Sequence, residues 1–371
     1  MDYLDDLRSV VELNSYTGNK PGVDRVGEQF DRWFEALGFE IKQYQRELIG
    51  AHRLYCSAKG EGKRLLLLGH IDTVFAPEQF EGYSEDEEWV YGPGVCDMKG
   101  GNIVALEALR QIKAAGQEIY NVDMLLVSDE ETGSDDSKHL SAQLAADYDY
   151  CLVYEAAGPN GEVVTGRKGV GTFFVEITGV AKHAGNFYAE GVDANLEAAI
   201  KLQKLVALTD LALGTTLNVG KIEGGIGANT ISPTAHLTFE LRYKRTQERD
   251  RVLGEINKIV STSYVKGSTS RLTGAIQRDV MTTSQESLSL LKALEDISAQ
   301  KLPFEERGGV SDANIMSASG VVTLDGMGPF GDGDHTVHER ASKKSFEARI
   351  ALSTKAISYF IKNRSFFKEI V

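Results

Sequence analysis

Three short segments rich in apolar residues constrain the fold of this chain more than any other feature. They are Leu65 to Gly69, Asp123 to Ser128 and Tyr150 to Glu155. Apolar runs of this length are typical of strands buried on both faces, as in parallel sheets. Apolar residues at helical spacing lie between the first two, at Asn102 to Ala115. This alternation predicts an α/β layer with a mostly parallel sheet.

The pattern changes in the middle of the chain. The predicted elements there are a strand at 169–179, a helix at 194–208, strands at 216–222 and 235–244, a helix at 247–261 and a strand at 269–276. This βαββαβ order is ferredoxin-like and can form its own small sheet. Because 371 residues suffice for two domains, we predict a catalytic α/β domain from residues 1–168 and 278–371. An α+β domain at residues 169–277 is inserted into it.

Composition excludes several classes of partner. The formal net charge of −14 disfavours binding to nucleic acid or acidic membranes, and no apolar run approaches the roughly 20 residues of a membrane span. The N-terminus lacks a basic region followed by an apolar stretch. Three widely spaced cysteines suit reduced thiols better than disulfides. Together these features predict a cytoplasmic protein, and an anionic substrate would need a locally basic pocket.

The first candidate metal ligands follow the first apolar run. His70 and Asp72 are two residues apart, and residues i and i+2 of a strand share a face. Both can therefore point into the crevice at the carboxyl end of a parallel strand, where α/β proteins bind ligands. A surface position would explain an isolated His-x-Asp equally well.

Acidic residues in two further segments add to this set. Residues 92–101, GPGVCDMKGG, place Asp97 before a helix, and an exposed turn would explain only the glycines. Residues 128–133 contain three consecutive carboxylates, Asp129, Glu130 and Glu131. Like charges gathered beside a buried strand predict a bound cation, although an exposed acidic loop is the alternative. With Glu155 and His335, the nitrogen and oxygen donors suit zinc, cobalt or manganese.

Five motifs carry a family resemblance. In chain order they are GHIDTV at 69–74, GPGVCDMKGG at 92–101, SDEETGS at 128–134, YEAAG at 154–158 and DHTVHE at 334–339. This ordered set resembles the M20 metallopeptidase family, especially its glutamate-carboxypeptidase-like branch, over nearly the whole chain. The resemblance implies a dizinc exopeptidase domain in which Asp97 bridges two metal ions. His70 and Glu155 would complete one ion, and Glu131 and His335 the other.

The resemblance also implies the remaining catalytic roles. Glu130 matches the general base and Asp72 the carboxylate that orients His70. His338 competes with His335, but the family pattern is a ligand His followed four residues later by Glu, here Glu339. Two divalent ions can share a water and lower its pKa, so no Ser or Cys nucleophile is needed.

Two motifs of the inserted segment resemble those of the family's lid domain. They are TGVAKHAG at 178–185 and GGIGANT at 224–230. In relatives that dimerise through this domain, the matching His and Asn reach the partner subunit's site. The resemblance therefore implies a homodimer in which His183 stabilises the oxyanion in trans and Asn229 contacts the substrate.

Four more residues match positions that bind the substrate. Arg242 and Arg278 match arginines that bind its carboxylate, although Asp279 replaces the usual proline after Arg278. Gly308 and Gly309 begin a GGxSDA loop that lines the same pocket. These matches favour a substrate with a free carboxylate.

The leading hypothesis is a dinuclear metallo-carboxypeptidase that acts on a small peptide or N-acyl amino acid. It would cleave the amide bond to a C-terminal, glutamate-like residue by a metal-bound water, with Glu130 as general base. An N-acyl-amino-acid deacylase or a di/tripeptidase would carry the same metal ligands. A non-catalytic binding protein on this scaffold is the alternative from another class; it would be marked by loss of Glu130 or a ligand, and neither is lost.

Overall fold

The computed structural model describes residues 3–367. The chain divides into two compact units. The first consists of Met1–Gly166, Thr283–Arg307 and Ser311–Val371, and the second of Arg167–Thr282 and Gly308–Val310. The domain boundaries expected from the sequence stay a prediction, because compactness does not show that either part folds alone.

The described residues form helices and strands in the following chain order: α1 Tyr3–Val11, α2 Lys20–Leu37, β1 Glu40–Tyr44, β2 His52–Cys56, β3 Leu65–His70, β4 Ser84–Glu85, β5 Trp89–Tyr91, α3 Lys99–Ala114, β6 Val122–Val127, α4 Ser137–Ala145, β7 Tyr150–Val153, β8 Val163–Arg167, β9 Gly169–Thr178, α5 Ala194–Val206, β10 Thr216–Gly224, β11 Thr234–Tyr243, α6 Thr246–Ser261, β12 Thr269–Arg278, α7 Gln285–Ser298, β13 Phe304–Arg307, α8 Ala313–Ala318, β14 Val322–Leu324, β15 Gly331–Asp332, β16 Arg340–Ser342 and α9 Lys343–Asn363. Short 3₁₀ helices cover Glu130–Thr132 and Tyr188–Glu190. Every helix within residues 3–367 is too short or too polar to cross a lipid bilayer.

A six-stranded sheet in the order β1-β2-β6-β3-β7-β14 forms the centre of the first unit. The pairings β6-β3, β3-β7 and β7-β14 are parallel, whereas β1-β2 and β2-β6 are antiparallel. Every residue of β3, β6 and β7 is buried. At about 1.5–3 kcal/mol for each fully buried leucine, the leucines of β3 alone contribute several kcal/mol. The mostly parallel α/β prediction is confirmed.

Strand β7 ends earlier than the sequence predicted. It stops at Val153 rather than Glu155, because the main chain leaves the ladder to meet the segment after β14. The N–H of Met327 donates to the carbonyl of Val153, and that of Gly328 to the carbonyl of Glu155. Glu155 therefore lies just beyond the strand, held by a crossing segment.

The second unit has its own four-stranded antiparallel sheet in the order β10-β11-β9-β12. Helices α5 and α6 are packed against it around a separate apolar core that includes Phe173, Phe239 and Ile256. The expected ferredoxin-like βαββαβ order is present. Alternate residues of β9 and β11 are exposed or half-buried, which explains why these strands alternate in sequence while β3 does not.

Candidate metal centre

The first of two ligand groups lies at the carboxyl end of the central sheet. His70 ends β3, and its Nε2 lies 3.0 Å from Asp97 Oδ1 and 3.8 Å from Glu155 Oε1. Ligand atoms of these three residues all lie within 4.8 Å of one another. Strands β3 and β7 are parallel neighbours, with Leu68 opposite Val153. Their ends therefore bring His70 and Glu155 to the same edge.

Asp72 fixes the orientation of the His70 ring. Nδ1 of His70 lies 3.0 Å from the main-chain oxygen of Asp72 and 3.3 Å from its Oδ1. Both oxygens accept, so the ring carries a proton on Nδ1 and turns Nε2 toward the crevice, where a cation could take this nitrogen as a ligand. Asn102, on the first turn of α3, donates to the main-chain oxygen of His70 at 2.6 Å. The histidine is thus held on both its ring and its backbone.

The second ligand group combines a short helix with a glycine-rich loop. His335 Nε2 lies 3.3 Å from Asp97 Oδ2 and 3.1 Å from Glu131 Oε2. These three residues also bring their ligand atoms within 4.8 Å of one another. His335 adopts a left-handed backbone, with φ of 60°. Among residues 3–367, His338 belongs to neither group.

Asp97 is common to the two groups, and the motif around it has a packing explanation. Asp97 lies two residues before α3, in the loop that leads into this helix. A Cβ on Gly101 would lie 1.8 Å from the carbonyl oxygen of Tyr154. Only glycine allows this helix to approach the end of β7 so closely, which brings Asp97 beside Glu155.

The three consecutive carboxylates after β6 have different partners. Asp129 is turned away from the crevice, because its Oδ2 accepts from the N–H groups of Asp136 and Ser137 at the start of α4. Glu130 and Glu131 lie in a 3₁₀ helix whose N–H groups donate to the Asp72 carboxylate at 3.3 and 3.2 Å. Asp72 thus contacts the elements that carry both groups.

The charge balance of the crevice favours cations. Burial raises the pKa of Glu155 above its usual 4.5, and the nearby Asp97 raises it further. Burial and Asp97 likewise raise the pKa of Glu131 to about 8. Hydrogen bonds with Asp97 and Glu131 raise the pKa of His335 to about 11. Divalent cations would replace the protons that these crowded groups retain, so the nitrogen and oxygen donor set fits a dinuclear metal site.

Sequence reasoning missed two contributors and left a third without a role. Thr17 donates from Oγ1 to Asp72 Oδ2 at 2.7 Å across 55 positions of sequence, and no local pattern marks it. Asn102 follows the double glycine of the Asp97 motif, which could have identified it. Glu339 was noted only for its spacing from His335, yet its buried carboxylate accepts from the backbone of the Asp97 loop.

His183 and Asn229 lie close together in the second unit. Ala184 donates its N–H to the main-chain oxygen of Asn229 at 2.9 Å. Nδ1 of His183 accepts from the N–H groups of Gly185 and Asn186, both at 3.2 Å. A neutral ring therefore carries its proton on Nε2 and can donate it to an oxyanion.

The two predicted arginines flank the same residue of the second unit's sheet. Arg242 on β11 and Arg278 on β12 both lie opposite Val170 of β9. Arg242 binds Glu240 through Nε at 2.6 Å and donates from Nη1 to the carbonyl of Gly308 at 2.7 Å. The carbonyl of Gly309 accepts from Arg167. Both residues of the glycine loop thus accept hydrogen bonds from arginines of this unit.

Comparison with known protein families gives a match over most of the chain. The model of peptidase family M20/M25/M40 matches residues 66–359. Carboxypeptidase G2 of Pseudomonas sp. (strain RS-16) is 28% identical over 345 residues, which cover 89% of this chain and 82% of that protein. An acetylornithine deacetylase of Vibrio vulnificus (strain CMCP6) is 32% identical over 266 residues, which cover 65% of this chain and 68% of that protein.

A tripeptidase structure from Staphylococcus aureus subsp. aureus Mu50 has the same fold, with a TM-score of 0.83 and 22% identity. The superposition covers 97% of this chain and 98% of the tripeptidase chain. The family resemblance inferred from the five motifs is confirmed. Because the family match spans most of the chain, the protein belongs to peptidase family M20/M25/M40 and is a hydrolase of that family.

Proposed function

We propose that this protein hydrolyses the amide bond to a C-terminal amino acid, using two divalent metal ions, zinc by preference and cobalt or manganese as alternatives. The observation that carries the proposal is that Asp97 belongs to both ligand groups. One carboxylate with an oxygen toward each histidine is suited to bridging two cations. His70 and Glu155 would complete one ion, and Glu131 and His335 the other.

When bound, the metal pair would lower the pKa of an attacking water and polarise the scissile carbonyl. Glu130 would accept a proton from the attacking water on its carboxylate and return it to the amine nitrogen as the carbon–nitrogen bond breaks. Its place in the 3₁₀ helix, whose N–H groups bind Asp72, keeps it next to ligand Glu131. Asp72 acts by orienting His70.

The second unit supplies the groups proposed to bind the substrate. Arg242 and Arg278 bind the free carboxylate of the C-terminal residue, because a chain of net charge −14 needs local cations to attract an anion. Gly308 and Gly309 offer backbone groups beside Arg242. His183, with its proton on Nε2, stabilises the oxyanion in the site of a partner subunit, and Asn229 contacts the substrate there.

The same metal ligands would serve a deacylase or a di/tripeptidase. The 32% identity to an acetylornithine deacetylase favours the deacylase as the second candidate. The greater coverage by carboxypeptidase G2, 89% against 65% of the chain, supports the carboxypeptidase. A non-catalytic binding protein is disfavoured because Glu130 and both ligand groups are retained.

We also propose a cytoplasmic homodimer joined through the second unit. The three cysteines are buried free thiols, which suits a reducing compartment. The dimer is supported by the position of His183 on a loop away from the core of its own unit.

The test is product analysis of the zinc-loaded protein with N-acyl amino acids, acyl-glutamates, dipeptides and tripeptides. Release of a C-terminal glutamate-like residue is expected, whereas release of no amino acid from any of them would refute the proposal. Glu130→Gln should keep both ions and lose about 10²-fold or more in kcat. Asp135→Asn is the matched control, since this exposed carboxylate five residues away pairs with Lys138 at the surface. Normal turnover by Glu130→Gln would exclude Glu130 as the base.

A further inference from the structure

A single buried carboxylate connects the loop of Asp97 with that of His335. Glu339 is 1% exposed. Its Oε1 accepts from the N–H groups of Cys96 at 2.9 Å and Asp97 at 3.0 Å, and its Oε2 accepts from that of Gly94 at 3.0 Å. Three N–H groups from four consecutive residues thus converge on one side chain.

These hydrogen bonds matter because the Asp97 loop lacks the regular backbone pairing of a helix or strand, although its side chains Val95 and Met98 are buried in the core. Residues 92–98 lie outside the helices and strands. A carboxylate can accept all three N–H groups, and hydrogen bonds to an ionised acceptor are about twice as strong as neutral ones. A glutamine at this position would instead direct its NH₂ group at a backbone donor. The carboxylate therefore fixes the main chain of the shared ligand.

Glu339 also belongs to the segment that carries His335. Its N–H donates to the carbonyl of Thr336 at 3.2 Å, and its carbonyl accepts from the N–H of Gly92 at 3.4 Å. Strand β16 begins at the next residue and pairs with β5, which ends just before Gly92. The backbone and the side chain of Glu339 thus connect the loop that carries Asp97 to the loop that carries His335.

We propose that Glu339 is a positioning residue that holds Asp97 and His335 at the spacing required by the second metal ion. This inference rests on the proposed dinuclear site. The first group depends on it less, because His70 is fixed by β3, Asp72 and Asn102, and Glu155 by Gly328. Loss of the Glu339 carboxylate should therefore lower the binding affinities of the two ions by different factors.

The experiment compares metal binding by the full chain after chelator treatment. Wild type, Glu339→Gln, Glu339→Asp and Glu347→Gln are titrated with Co²⁺ by visible absorption and with Zn²⁺ by equilibrium dialysis. Glu347, exposed on α9, is the matched control. We expect Glu339→Gln to bind one equivalent as wild type does and the second at least about tenfold more weakly. Glu347→Gln should match wild type.

Two results would overturn the inference. One is wild-type affinity for both equivalents in Glu339→Gln, and the other is equal weakening of both, which a general loss of stability would produce. Melting of the metal-free variants identifies such a loss. If Glu339→Gln does not fold, Glu339→Asp supplies the same comparison, because it keeps the charge but moves it away from the backbone. Wild-type protein that binds two ions but releases no amino acid would refute the proposed function and leave this inference standing.

Discussion

The two ligand groups of this protein share Asp97 but are built differently. His70 and Glu155 are buried at the ends of the parallel neighbours β3 and β7. Glu131 lies in a 3₁₀ helix, and the His335 side chain is 57% exposed on a loop. The central sheet thus arranges the first group, while the second depends on side chains that restrain loops. We infer that the first group holds its ion more tightly.

The largest effect is expected from removing the ligand common to both groups. Asp97→Ala should lose both ions and lower kcat/KM by more than about 10³-fold, since metal ligands act as a unit. Metal analysis and hydrolysis assays measure the two effects. Asp135→Ala removes an exposed carboxylate and should behave as wild type. Retention of two tightly bound ions by Asp97→Ala would contradict the shared role.

Removing one histidine at a time tests the inequality directly. His335→Ala leaves the first ligand group intact, and His70→Ala leaves the second ligand group intact. The ion that remains in His335→Ala should bind at least about tenfold more tightly than the ion that remains in His70→Ala. Competition with a coloured chelator measures both affinities. Equal or reversed affinities would show that burial at strand ends does not decide the order.

A smaller effect is expected in the pH dependence of the metal-free protein. The raised pKa of Glu131, about 8 against an ordinary 4.5, means that the folded state holds a proton that the unfolded state has released. The melting temperature should therefore fall between about pH 5 and about pH 8. His335, whose pKa is also raised, acts in the same direction.

Zinc should remove this dependence, because it binds the deprotonated ligands. Glu131→Gln, measured by thermal melting, should flatten the decline in the metal-free protein, whereas the exposed Glu61→Gln should not. A melting temperature that rises over this range would contradict the assignment.

Much of the fold could be predicted because its strongest signals are local. Strands β3, β6 and β7 are apolar along their length since both faces are covered, and β9 and β11 alternate since one face is not. The short strands β14, β15 and β16 and helices α4 and α8 were not predicted. These elements lack the apolar runs that mark β3, β6 and β7, and they contain too few positions to show a clear helical period. Their neighbours in the fold therefore determine their conformation.

In the candidate site, too, some features have a local sequence signal and others depend on packing. The motifs pointed to the candidate ligands, but Glu155 was expected on a strand that ends two residues before it. By residue type alone Asp129 could not be told from its two acidic neighbours, and only the family resemblance gave roles to Glu130 and Glu131. The structure adds that Asp129 accepts from the start of α4 instead. Thr17 could not have been found, because the residue it contacts lies 55 positions away.

The sequence by itself determined the chemistry of this protein: the family, the alternation of strand and helix, and the set of histidines and carboxylates that can hold cations. These follow from residue types and short spacings. The tertiary structure decided how those residues are supported, with Asp72 between the two groups and Glu339 beneath Asp97. Such contacts join segments far apart in the chain, and only packing of the folded chain brings them within hydrogen-bonding distance.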